Sequence, residues 1–234
     1  MALPIQKAPE YFCELPLSGE QVKFRPFLVK EQRNLVLMQE GENEKEMYQA
    51  LSNLVKAVSF DKLNANDMAL ADLEYFFLQV RCKSVGETVK LNIPCKVEDC
   101  KGVIPYELNL NEVDIDTKEM PDSKLQLSES LGVVLSPPKA SVQQKLDSKD
   151  EQASFFAILK SCIEQIYDED NVYDMIDYSE TEVDEFVESL TVSQIEMIGE
   201  WLQSIPSLKH DIDCKCPVCG TKQRVELKGL ENFF

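Results

Sequence analysis

Thr88-Val-Lys-Leu-Asn-Ile-Pro-Cys95-Lys-Val-Glu-Asp-Cys100-Lys-Gly-Val103-Ile-Pro-Tyr-Glu-Leu-Asn-Leu110 is the stretch that decides the fold. Thr88 to Ile93 and Val103 to Leu110 alternate apolar and polar residues, and a period of two marks strands with one buried face. The segment between them holds Cys95 and Cys100, so the stretch reads as a hairpin with two thiols at its tip. More than a hundred residues later the pattern returns, with Cys216-Pro217-Val218-Cys219-Gly220 between two short extended runs. Leu91-Asn-Ile-Pro-Cys95 parallels Ile212-Asp-Cys-Lys-Cys216, which sets Cys214 opposite Ile93 on a packing position.

Zinc takes four ligands in a tetrahedron, with sulfur at about 2.3 Å. Two thiolates on one tight turn span one edge, and a second turn supplies the other. In the second turn Pro217 stiffens the chain and Gly220 can leave with positive φ. The first turn is looser, with Lys96, Val97, Glu98 and Asp99 between its cysteines. Cys95, Cys100, Cys216 and Cys219 are therefore expected to hold one structural zinc ion, which closes a long loop and adds folding free energy directly. The competing readings are idle thiols, or Cys214 or His210 as a replacement ligand. His210, the only histidine, is expected to be exposed. Cys13, Cys82 and Cys162 suit packing or surface roles. The opening MALPIQKAPEYF does not have the pattern of a secretion signal, so the eight cysteines point to a reducing compartment, where metal binding outranks disulfides.

Outward from the hairpins the periodicity is helical. Val22 to Phe27 reads as a short extended entry, and a helix over 30–40 stops at Gly41. Met47, Ala50, Leu51, Leu54, Val55 and Val58 mark a second helix. A third follows Asn66 and Asp67, either of which can cap it, and carries Leu73, Phe76, Phe77 and Val80. Tyr75, Phe76 and Phe77 read as core. Leu131 to Leu135 reads as a buried strand closed by Pro137 and Pro138, and Ala140 to Leu146 as a short helix. Phe155, Ile158, Leu159, Cys162 and Ile166 mark a longer one. Ser179 with Glu182, and Thr191 with Gln194, are capping boxes opening two more helices, the last stopped by Pro206. The expected fold is α+β: a mostly helical body with a small antiparallel zinc-ribbon-like module formed by two distant cysteine hairpins. Its expected divisions are residues 1–86, an extended segment and helices; 87–110 plus 207–234, the ribbon-like module; and 111–206, an acidic, mainly helical insertion.

Net charge is −18, and between Ser161 and Leu208 there are thirteen Asp and Glu residues and no Lys or Arg. Such a surface repels phosphate backbones and anionic membranes, so neither nucleic acid nor membrane is an expected partner. The acidic stretch reads either as a solvated helical face or as a patch for a basic partner. Catalysis is not expected. Four thiolates leave no open metal position, one histidine limits nucleophile–base pairs, and no phosphate-binding glycine loop or H-E-x-x-H helix occurs.

Several phrases together resemble the baseplate hub assembly proteins of T-even-type contractile-tailed bacteriophages. They are the opening MALP, Phe24-Arg-Pro-Phe-Leu-Val-Lys-Glu31, Asp72-Leu-Glu-Tyr-Phe-Phe-Leu-Gln79 and Lys83-Ser-Val-Gly-Glu87. Cys216-Pro-Val-Cys-Gly220 followed by Leu230-Glu-Asn-Phe-Phe234 completes the set. The resemblance covers most of residues 1–105 and the last thirty. It implies a non-enzymatic role in building the baseplate hub, as a hub subunit or an assembly factor. It also implies hub or tail proteins as partners, and a place in the infected bacterial cytoplasm or the virion. Phe233 and Phe234 read either as a segment that docks in a partner or as a tail folded back on the ribbon. The alternative to the phage reading is a generic zinc-ribbon adaptor for a polymerase or another host protein.

Overall fold

The structure, a computed structural model, describes residues 7–39, 44–118, 120–146 and 150–229. It is α+β, with 38% of the chain helical, so the expected mostly helical body is corrected. The N-terminal hairpin of β1 (Tyr11–Glu14) and β2 (Gln21–Phe24) precedes α1 (Val29–Gln39), α2 (Glu44–Val58) and α3 (Leu70–Ser84). The expected stop at Gly41 lies outside the described residues. A first core gathers Val22 and Phe24 from the hairpin, Leu54, Val55 and Val58 from α2, and Leu73, Phe76 and Val80 from α3. Phe24 meets Phe76 edge-on, ring centroids 5.7 Å apart. Phe76 and Phe77 are buried, in keeping with the core reading.

α3 has a second buried face. Ala71, Leu78 and Cys82 belong to another core, shared with the two cysteine hairpins. The helix is thus wedged between two clusters, which explains why apolar residues surround it rather than forming one stripe. Neither Asn66 nor Asp67 caps it; its N-cap is Ala69, without a side-chain bond. A different strand of chain does the work: Leu70 donates its N–H to the Pro138 carbonyl (2.8 Å), and Ala69 bridges Lys139. The buried Asp72 carboxylate accepts the N–H groups of Leu17 (2.8 Å) and Ser18 (3.0 Å), tying the N-terminal hairpin turn to the helix.

β3 (Thr88–Pro94) pairs antiparallel with β4 (Val103–Asn109), close to the expected runs. Segment 111–206 combines its helices with a sheet. It holds a four-stranded antiparallel sheet in the order β5 (Lys124–Gln126), β6 (Gly132–Leu135), β7 (Ile163–Tyr167) and β8 (Val172–Asp174). Three helices complete it: α4 (Glu151–Cys162), α5 (Glu180–Ser189) and α6 (Val192–Ser204). A six-residue 3-10 turn, Ala140–Lys145, precedes them. The long helix expected through Ile166 ends at Cys162, where the chain passes straight into β7. Both capping boxes are formed, Ser179 with Glu182 and Thr191 with Gln194. Leu135, Leu159, Cys162, Ile198 and Trp201 form the third core, and the Trp201 indole N–H donates to the Asp122 carbonyl (2.7 Å). The segment leaves and returns at one place, since Asp114 bridges Lys209 at the start of β9 (Lys209–Lys215). β9 pairs with β10 (Lys222–Lys228). Among the described residues no helix is long and apolar enough to cross a membrane.

Candidate metal centre

Each cysteine pair sits where its hairpin register ends. Pro94 faces Val103 as the last pair of β3–β4, and Lys215 faces Lys222 as the last pair of β9–β10. The two tips are closed by similar bonds. Cys95 donates its N–H to Gly102 (2.9 Å) and Cys100 to Val97 (3.1 Å). In the other turn Cys216 donates to Thr221 (2.9 Å) and Gly220 to Cys216 (3.0 Å). Gly220 has φ +74°, the left-handed geometry that glycine takes without strain. In the longer first turn that conformation falls to Asp99, with φ 65°.

The tips meet. The four sulfurs of Cys95, Cys100, Cys216 and Cys219 all lie within 4.8 Å of one another. Two of the separations run between hairpins, Cys95 to Cys219 at 3.6 Å and Cys100 to Cys216 at 3.8 Å. A tetrahedron of sulfurs about 2.3 Å from a zinc ion has edges of about 3.8 Å. A disulfide needs about 2.05 Å, so the sulfurs are not bonded to one another, and their spacing is one that could accommodate an ion. Cys216 is buried, Cys95 and Cys100 are half-buried and Cys219 is exposed.

Two residues that the sequence reading did not single out hold the tips together. Gln223 accepts the Lys96 N–H (3.0 Å) and donates to the Pro94 carbonyl (3.1 Å), clamping the first tip to β10. Gly102 is the point of closest approach: a Cβ built there would lie 2.5 Å from the Cys216 sulfur and 3.2 Å from Val218. A glycine two residues after the second thiol of a knuckle is the signal that marks such a contact.

The sequence model of the family described as "T4 bacteriophage base plate protein" matches residues 8–234. This chain belongs to that family. The chain is also 24% identical over 226 residues to the "Baseplate hub assembly protein gp26" of Enterobacteria phage T4, covering 96% of this chain and 98% of the relative. That similarity runs through the acidic segment, beyond the phrases that carry the resemblance in the sequence. No solved structure matches the chain.

The remaining cysteines are not among the four grouped sulfurs. Cys214 packs half-buried in the second core, with Ile93 in the same cluster, as the alignment of the hairpins requires. His210 is half-buried rather than exposed, because two residues before Ile212 on β9 it shares that residue's inward face. Burial pushes the Cys13 thiol up to about 11 and the Cys162 thiol up to about 12, which suits inert packing groups. Within the cluster, the Thr221 hydroxyl and N–H hold Cys219 down to about 6. At Cys95 the Val97 N–H works to lower the thiol, but desolvation and the neighbouring sulfurs outweigh it and push the group up to about 12. Metal binding must displace protons from such thiols, so affinity falls as pH falls.

Proposed function

We propose that the chain is a non-catalytic protein of baseplate hub assembly, acting through contacts with hub or tail proteins and stapled internally by one zinc ion on Cys95, Cys100, Cys216 and Cys219. The near full-length likeness to a hub assembly protein supports the assembly role. The four converging sulfurs support the zinc, because a closed set of four thiolates suits structure and leaves no coordination position for substrate. The division into an N-terminal body (1–86), a ribbon module (87–110 with 207–234) and an insertion (111–206) accords with three core clusters and with the bridge between Asp114 and Lys209. The ion then pins the two hairpins between which the insertion is strung. The working place is the cytoplasm of the infected bacterium, where tails are built, and nucleic acid and membrane have no part.

Inactivating the gene in the phage and examining tails from infected cells by electron microscopy tests the role. Accumulation of baseplate intermediates lacking a hub, restored by the protein supplied in trans, is the expected result. Normal tails in its absence contradict the role. Mass spectrometry of purified virions then separates a retained hub subunit from a factor that departs.

A further inference from the structure

The acidic segment carries an apolar hollow that the metal centre does not explain. It lies between β7, β8 and α5, has a volume of about 320 Å³, and is lined by Leu131, Ile166, Tyr173, Met175, Val183 and Phe186. Tyr178 and Glu182 complete the lining. The walls are fixed in advance: the Tyr173 hydroxyl donates to Asp168 (2.8 Å), and its ring meets Tyr178 edge-on at 6.3 Å. Glu182 is locked in its capping box with Ser179. Ile176, next to Met175 in the chain, is 93% exposed. A side-chain-sized apolar hollow with an exposed isoleucine beside it is a place for an anchor residue.

The charge around it is predominantly negative. Asp168, Glu169, Asp170, Asp174 and Asp177 flank the lining residues in the chain, and no Lys or Arg occurs from Ser161 to Leu208. The cations that reach the segment, Lys145 on Glu180 and Lys160 on Asp184, come from outside it and leave those five carboxylates without an ion pair among the described residues. A second copy of this chain, itself at −18, is repelled from such a rim, whereas a basic segment is drawn to it.

We infer that this hollow receives an apolar side chain from a basic, amphipathic segment of a partner protein, whose Lys and Arg residues face the surrounding carboxylates. The inference rests on the assembly reading only for the identity of that partner. The test measures fluorescence anisotropy of an amphipathic lysine–leucine peptide and of its glutamate–leucine counterpart against the full chain. The basic peptide is expected to bind, more weakly as salt rises, and the acidic one is not. Val183→Trp, which fills the hollow, is expected to weaken binding at least about tenfold with the circular dichroism spectrum unchanged. The exposed pair Asp177→Lys and Glu185→Lys is expected to weaken it and flatten its salt dependence. Equal binding of both peptides, or wild-type binding by Val183→Trp, overturns the inference. So does a dimer in sedimentation that Val183→Trp dissolves, which makes the hollow a self-interface. Overlapping peptides from the phage's own tail and baseplate proteins then name the partner. If the lysine–leucine peptide docks at the hollow but no such segment does, the docking chemistry stands and the baseplate partner falls.

Discussion

Gly102→Ala is the sharpest small perturbation of the site, because it adds one methyl group between the two knuckles. The new Cβ would stand 2.5 Å from the Cys216 sulfur and 3.2 Å from both Cβ and Cγ2 of Val218. The optimum for such contacts is about 3.5–4.0 Å, so the knuckles must separate by roughly 1 Å or the first turn must shift. Overpacking of this kind costs about 1–3 kcal/mol. Gly102 does not have positive φ, so alanine also gains roughly 0.4–1 kcal/mol by restricting the unfolded chain. The net loss is about 1–2 kcal/mol, and for a chain of this size that lowers Tm by about 2–8 °C. Zinc should also pass faster to a chromogenic chelator, since the displaced atom is one of the proposed ligand sulfurs. Gly199→Ala is the control: in α6 its new Cβ meets only Phe155, at 3.6 Å, and the better helix former should stabilise by about 0.5–1 kcal/mol. An unchanged or raised Tm for Gly102→Ala, with zinc release at the wild-type rate, would refute the account of how the hairpins meet.

Three further outcomes follow from the packing. Phe76→Ala, at a fully buried ring between β2 and α3, should cost about 3–5 kcal/mol in urea unfolding, with metal content unchanged in the folded fraction. Thr191→Ala removes the hydroxyl of the capping box on α6 and should cost about 0.5–2 kcal/mol, recovered largely by Thr191→Ser. The Glu31 carboxylate accepts two bonds from Arg25 (2.8 and 2.9 Å) and the Leu28 N–H (2.7 Å). Burial pushes its pKa up, but the guanidinium and the N–H outweigh it and the folded value lies below the ordinary one. Its stabilisation is therefore complete above the unfolded value of about 4.3 and is lost as pH falls through the lower folded value. Glu31→Gln should cost roughly 1–2 kcal/mol at neutral pH and make the acid limb of the stability profile shallower.

The convergence of the four cysteines is the most legible part of the chain. Strands of seven residues on either side of each cysteine pair give several cycles of alternation, and the turn residues name the chemistry at the tips. The helices opened by Ser179 and Thr191 were equally plain, because a capping box is a local signal that needs no tertiary partner. The four-stranded sheet was not, since β5 and β8 have three residues each, too few to show a period. β7 is the instructive miss. Ile163 and Ile166 are both buried at a spacing that suits a helix. The register explains it: Val133 faces Ile166 and Val134 faces Gln165, but Leu135 faces Ile163, so a bulge at Glu164 shifts the strand by one residue. The same irregularity hid the end of α4. α3 lacks its expected side-chain cap because a distant segment, at Pro138 and Lys139, satisfies the helix start, a contact no local pattern records.

Native mass spectrometry of the protein purified without added metal, joined to X-ray absorption at the zinc edge, tests the central claim most directly. The expected result is one zinc per chain with four sulfur neighbours at about 2.3 Å, lost in Cys216→Ser and kept in Cys162→Ser. A metal-free folded chain, or zinc retained in full by Cys216→Ser, would contradict it.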